Sequence, residues 1–557
     1  MMKKFKMKIW AGAVAVLFLV SSCSDFLDIN ENPNAATEAD VNLVLPQAIT
    51  ASASIASAYN NYGGHFGGYI ANAGGFSGFG TLLSYNLTPA DYNGLWTNTY
   101  QDPLNDFKYI IDKTEGDAAN VYFNATAKIM SVFLYMKLVD TFGDVPYTDA
   151  LRGSEGLVTP TYDDAATIYA DLIATCDEAI AQIETAVTGV GGTRLTAASD
   201  PLFAEFAGDP VADHMEAWQK FANTLKLKML VRISTPANPA AGFATLDTSL
   251  GFISDDAIVD PGYELNRPNP AWATWGKTVA GALANSSRVP TTYSYTFFGG
   301  TTTFPTAKIN DPYRGETIFV NFGGNNGSGA VTATPTNQLG NESGNPPIIA
   351  GQVTWAGTQT GFTGRGVLKG PAQGQPLMLA AEARFLEAEA KLHGYIAGGL
   401  GGATTTYYEG IKASFTYLYK DENEAIVLPP TLNAAKPVTI DSMVEVYTTT
   451  NAGNRLVEIE AASSVAQRVE AIITQKYIAM LMVTSDESYN EFRRTGFPTT
   501  VPGGPANLDI ASNKSTITER FDRLPTRVMY PSSESAFNSA NYRVVDYRSE
   551  RIFWDPS

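Results

Sequence analysis

Between residues 161 and 185 the chain places Ala165, Ile168, Leu172, Cys176, Ala179 and Ile183 at helical spacing with polar residues between them, which predicts an amphipathic helix. Thr161 followed by Asp164 resembles a capping box at its start. Cys176 falls on the apolar stripe and reads as a small buried core residue. Residues 125–147 are apolar nearly all round and then meet Gly143 and Pro146, the pattern of a buried helix closed by a glycine. At 215–234, Trp218, Phe221, Ala222, Leu225 and Met229 share one face, and Lys220, Lys228 and Arg232 are expected to keep their charged ends in water. Residues 377–394 are rich in alanine and end on Gly394; small residues allow helices to approach closely, and Ala381 to Phe385 matches a fragment of the tetratricopeptide pattern. A further helix is predicted over 467–481. It is followed by "SDESYNEFRRTGFP", in which Ser485 caps, Asp486 and Glu487 occupy the first turn, and Arg493, Arg494, Gly496 and Pro498 close the helix. Helical hairpins are the recurring unit.

Between these helical halves the pattern disappears. From about 261 to 375 the chain is dense in Gly, Asn, Thr and Pro, far longer than the roughly 15 residues usual for a structureless loop. Interleaved aromatics, among them Trp272, Trp275, Tyr293, Phe298 and Trp355, argue against plain disorder. A second glycine and aromatic cluster, "NYGGHFGGYIANAGGFSGFGTLLSY", fills 61–85. Both are expected as surface-forming loops on a helical scaffold.

The N-terminus adds an address. Four lysines precede an uncharged run from Ile9 to Val20, twelve residues where a spanning helix needs about 20. The run ends in Ser21, Ser22 and Cys23, small residues leading to a cysteine placed to become a lipid-modified N-terminus. Residues 1–22 are therefore expected to be a lipoprotein signal peptide. Without their four lysines the chain has 34 basic and 56 acidic residues, a net charge of −22. Nucleic acid is excluded as a ligand class, because binding it requires a basic face, and no Lys/Arg-rich run follows the signal. With Cys176 as the only cysteine beyond Cys23, no intramolecular disulfide framework forms, and stability must come from a core.

Catalytic patterns are missing. His65, His214 and His393 are scattered, with no HExxH motif, no G-x-S-x-G elbow and no P-loop. The large number of acidic residues makes some close carboxylate pair inevitable, so their number is no argument for a glycosidase. No cofactor is expected, although Asp- and Asn-rich loops are compatible with a structural calcium ion held by oxygen ligands.

Many segments in order, "FLDINENPN" after the cysteine, "LVDTFGDVPY", "YDDAATIYADL", "WQKFANTLKLKMLVRIS", "FLEAEAKLHG", "QKYIAML", "YNEFRRTGFP", "LPTRVMYPSSE" and "RIFWD", make the chain resemble the SusD/RagB-like outer-membrane lipoproteins of the Bacteroidetes. The resemblance covers residues 23–557 and implies a single, mainly α domain, with four tetratricopeptide-like helix pairs as scaffold and loops on one side as the ligand platform. It also implies a binding role: a lipid-anchored protein at the outer face of the outer membrane that captures oligosaccharide for a SusC-like TonB-dependent transporter. Some members of the family bind peptides instead. Net negative charge favours a neutral polysaccharide such as a glucan over acidic polymers.

Sugars offer apolar C–H faces and directional hydroxyls, so a glycan platform needs flat rings beside Asn, Asp, Gln or Arg. Trp218, Trp554 and Trp96 fall on scaffold patterns; Trp272, Trp275 and Trp355 remain in the loop-rich middle. These three are the expected stacking residues, helped by Tyr85, Tyr293, Arg288 and Asn269. Two other readings stand beside this one: large loop aromatics pin loops to a scaffold, or they form a protein interface with the transporter.

Overall fold

The computed structural model describes residues 38–72, 82, 84–189, 191–299, 308–320, 322, 354–357, 364–429, 438–504, 508–512 and 514–556. Cys23 and the expected signal peptide lie outside them. The chain divides into Met1–Val44, of which the described part begins the first helix, and Leu45–Ser557, which holds everything below.

The fold is mainly α. The first helix, α1 (Val41–Phe66), leads into a short strand β1 (Ile70–Asn72). After α2 (Asn93–Thr99) and a π-helical turn at Tyr100–Leu104 come α3 (Asn105–Thr114), α4 (Val121–Phe142), α5 (Ala165–Thr188) and α6 (Val211–Ile233), each packed on the next. In the C-terminal half α10 (Ala380–His393) packs on α11 (Gly399–Tyr419), α11 on α12 (Ile440–Thr450), and α13 (Val465–Met480) on α14 (Ser485–Thr495). Contacts of α6 with α10 join the two halves. There Leu227, Leu230 and Val231 bury against Leu386 and Ala390.

Local chemistry explains the helix ends. Gly143 closes α4 at φ +77° and Gly394 closes α10 at φ +73°, a backbone region costly for residues with a Cβ. Helix α5 begins one position after Asp164, whose side chain accepts from the Thr167 amide; Thr161 instead donates its hydroxyl to Asp149. Small residues do bring helices together: a Cβ on Gly410 of α11 would come within 2.7 Å of the Phe385 ring of α10.

The largest departure from the amphipathic reading lies on α6. Lys228 and Arg232 do not reach water; they are buried in ion pairs with Glu382, Glu487 and Asp140. Around them, Lys137 pairs with Asp486, Lys476 with Glu491 and Arg494 with Glu389 and Glu491, while Arg493 donates to the Asp140 backbone carbonyl, so six cations and six anions share the junction of α4, α6, α10, α13 and α14. Burying a charge is costly unless it is paired, and here the two signs balance. Near the C-terminus Trp554 donates its indole N–H to Asp140 at 2.8 Å and places its ring beside the guanidinium groups of Arg232 and Arg493.

The middle segment is bracketed by strands. β2 (Ala257–Val259) and β4 (Gln375–Met378) pair antiparallel, so residues 260–374 leave and return at one place. Within that span are α7 (Pro270–Trp275), β3 (Arg288–Pro290), α8 (Thr292–Thr296) and α9 (Pro312–Ile318).

Candidate functional site

β1 and β3 form an antiparallel pair with Ile70 opposite Pro290, Ala71 opposite Val289 and Asn72 opposite Arg288. β1 is reached through Gly68 at φ +76°, where a Cβ would lie 2.7 Å from Ile510. Thr291 secures this same end, its hydroxyl donating to the Gly68 carbonyl at 2.5 Å and its amide to the Tyr69 carbonyl at 2.9 Å. This small ladder forms a short stem between α1 and α8.

Three polar groups gather beside the stem. Arg288 is half-buried, which lowers its guanidinium pKa. Burial, together with the Arg288 charge, pushes His65 down to about 4, so its ring is neutral at neutral pH. Its Nδ1 contacts the Asn61 carbonyl at 3.2 Å, and its buried Nε2 has no partner among the described residues. A neutral imidazole whose Nδ1–H donates to that carbonyl keeps Nε2 as an acceptor. Tyr92, at φ +61°, packs its ring on Phe66 and Tyr62, with its hydroxyl raised well above the ordinary value by burial. The His65 Nε2 and the Tyr92 hydroxyl are both buried, so of the three groups Arg288 is the one that keeps part of its surface at the stem.

Of the residues expected from sequence, Arg288 stands at this stem and Tyr85 lies under it, its ring 5.6 Å from Phe66. Tyr85 is fully buried and its hydroxyl accepts from the Ser512 amide at 2.9 Å. The tryptophans differ from the stacking expectation. Trp272, Trp275 and Trp355 are 7%, 2% and 2% exposed, too little to offer a ring face to a sugar. Asn269 caps α7 by accepting from the Trp272 amide, Trp272 donates its N–H to Lys277, and its ring fills the space beside Gly276. Trp275 meets Trp355 edge-on at 6.4 Å, and Trp355 stacks on Phe319 at 6.1 Å. Tyr293 is likewise buried, against Phe297 and Tyr477. Tyr293 ties the loop-rich middle to α13 through Tyr477, while the tryptophans pack within the middle segment itself. No sequence pattern singles out Tyr92, and His65 shows only as a lone imidazole inside the glycine and aromatic cluster at 61–85.

Among the described residues no group of three or more His, Cys, Asp or Glu is arranged to hold a metal ion. Cys176 is buried, and burial pushes its thiol far above the ordinary range, as expected of a core residue.

A family model described as "Starch-binding associating with outer membrane" matches residues 33–531. The chain belongs to the SusD-like family. SusD-like proteins are binding proteins associated with the outer membrane, and solved relatives share the fold over nearly the whole chain. A chitin-binding protein is 21% identical over 93% of this chain and 99% of its own, with a TM-score of 0.62. A SusD homologue from Bacteroides uniformis is 21% identical over 92% and 99%, at 0.63, and a SusD/RagB family protein from Bacteroides thetaiotaomicron is 19% identical over 93% and 99%, at 0.64. No curated protein matches the chain.

Proposed function

We propose that this SusD-like chain is a non-catalytic glycan-binding lipoprotein, anchored by lipid at Cys23 and facing the cell exterior. It captures a neutral oligosaccharide or polysaccharide, such as a glucan, and passes it to a SusC-like TonB-dependent transporter. The family match over 33–531, with its description of starch binding, carries this reading. The chitin-binding neighbour, another neutral-glycan binder by name, supports it. So does the charge: a body at −22 repels acidic polymers across most of its surface. Arg288 at the β1–β3 stem, with the buried His65 and Tyr92 beside it, is the proposed contact for sugar hydroxyls.

Isothermal titration of the full chain in detergent against maltoheptaose, chitohexaose, an oligogalacturonate and a peptide mixture tests the reading. Heat with a neutral sugar, reduced in Arg288→Ala, is the expected result. Heat with peptides alone would keep the family and replace the ligand class. New reducing ends on incubation with the bound sugar would overturn the non-catalytic assignment.

A further inference from the structure

A cleft of about 510 Å³ opens beside α14, within the size range of small-ligand sites. Phe492, 8% exposed, lies at its depth, and Phe521, 86% exposed, stands at its edge with both ring faces largely bare. Arg520 grips Asp522 through two hydrogen bonds, Nε at 3.1 Å and Nη2 at 2.6 Å, which fixes the planes of both groups. Glu519, Arg551 and the Thr500 hydroxyl complete the lining used here. The charges cancel, two cations against two carboxylates.

The cleft also has a defined place in the fold. Thr499, on its wall, accepts from the Lys308 ammonium at 2.7 Å through its carbonyl, which ties the wall to the loop-rich middle segment. Just upstream of Glu519, Thr516 donates from its amide and its hydroxyl to the Ser84 carbonyl at 2.9 and 3.0 Å, which ties the same C-terminal segment to the 61–85 cluster. The cleft therefore lies where the C-terminal segment meets both loop-rich regions, on residues separate from the β1–β3 stem.

We propose that the Phe521 cleft is a second saccharide subsite, in which a neutral sugar ring lays its C–H face on Phe521 and bonds its hydroxyls to Arg520, Asp522 and Thr500. The inference rests on the glycan-binding reading and assigns it a site that includes neither Arg288 nor any of the buried tryptophans. An apolar protein segment fits less well, because covering Phe521 would strip water from the exposed Glu519 and Arg551 without supplying partners for them. An anionic ligand gains nothing from a lining whose charges cancel. A neutral ring with an apolar face and directional hydroxyls satisfies both parts of the lining.

The test uses the full chain in a detergent without a sugar headgroup, with maltoheptaose and chitohexaose as probes. Hydroxyl-radical footprinting reads oxidation of Phe521 with and without each sugar, and titration compares the wild type with Phe521→Ala, Phe521→Trp and Arg288→Ala. The expected result is protection of Phe521 by at least one sugar, which persists in Arg288→Ala. Affinity falls about five- to tenfold in Phe521→Ala and is kept in Phe521→Trp. Because the ring is exposed, its removal takes nothing from the core, and an unchanged melting temperature confirms that the fold is intact. Sugar binding by the wild type with Phe521 equally oxidised and Phe521→Ala unaffected would overturn the subsite and leave the glycan-binding reading standing. No binding of either sugar to the wild type would overturn both. Loss of transporter co-purification in Phe521→Ala with sugar affinity unchanged would make this a protein interface and overturn the subsite.

Discussion

Glu487 lies 2.7 Å from the Lys228 ammonium, and both side chains are 1% exposed. Its second carboxylate oxygen meets Arg232, so one residue of α14 neutralises two cations of α6. Glu487→Gln keeps the shape and removes the charge, leaving a buried excess of one cation. Breaking a buried pair in this way costs about 3–5 kcal/mol. Urea unfolding should show that loss as a lower midpoint with an unchanged slope. A change under about 1 kcal/mol would mean that water or a rearranged neighbour compensates the pair.

Trp275 and Trp355 give the second expectation. Their edge-on contact continues through Phe319 to Tyr295 and Phe298, so the five rings form a core of their own beneath the loop-rich middle. Trp275→Ala should cost about 3–5 kcal/mol, the range for emptying a large aromatic site, with sugar affinity of the folded fraction unchanged. An unchanged unfolding midpoint together with lost sugar binding would return this ring to the ligand surface.

How far the sequence reaches is clear from particular residues. Helical period and end signals located α5, α10, α13 and α14, because apolar spacing, Gly394 and Gly496 act within a few neighbouring residues. The pattern places Lys228 and Arg232 in water because a charged side chain on an amphipathic helix usually points outward. Their acidic partner Glu487 is 255 residues from Arg232, and such a pairing leaves no trace in local pattern. Tyr293 and Tyr85 differ from expectation for a related reason. Gly- and Asn-rich composition reads as surface, yet the groups covering Tyr293 and Tyr85 come from Tyr477 and Ser512, far along the chain. Arg288 sits on a strand of three residues, too short for a period of two to be read; its candidacy came from the polar chemistry a sugar needs.

Gly410 tests the close packing of α10 on α11. In Gly410→Val the new side chain must displace the Phe385 ring, which a Cβ alone already approaches to 2.7 Å. Overpacking of this kind costs about 1–3 kcal/mol. Thermal unfolding should report a lower midpoint. The double variant Gly410→Val with Phe385→Leu should recover part of the loss, since the smaller side chain reopens the space. No recovery would locate the strain in the backbone.

The buried ionic junction predicts a particular response to acid. Burial pushes the Glu491 carboxyl up, but Arg494 and Lys476 more than reverse that and bring it down to about 2. Glu487 is held well below the ordinary range in the same way, with Arg232 and Lys228 overcoming the effect of burial. A carboxylate whose folded pKa is depressed stabilises the fold fully above the unfolded value, about 4.3, and loses that contribution as pH falls through the folded one. Asp140 and Asp486 act with the opposite sign: burial raises both despite Arg232 and Lys137, so their charged forms cost stability that protonation returns. The overall acid profile mixes the two signs, and Glu491→Gln isolates one of them. At pH 7 the variant should be less stable than the wild type, and the gap should shrink steadily as urea unfolding is repeated from about pH 5 toward pH 2. A gap that stays constant through this window would show that Glu491 gains nothing from ionisation in the folded state, and that Arg494 is held by Glu389 alone.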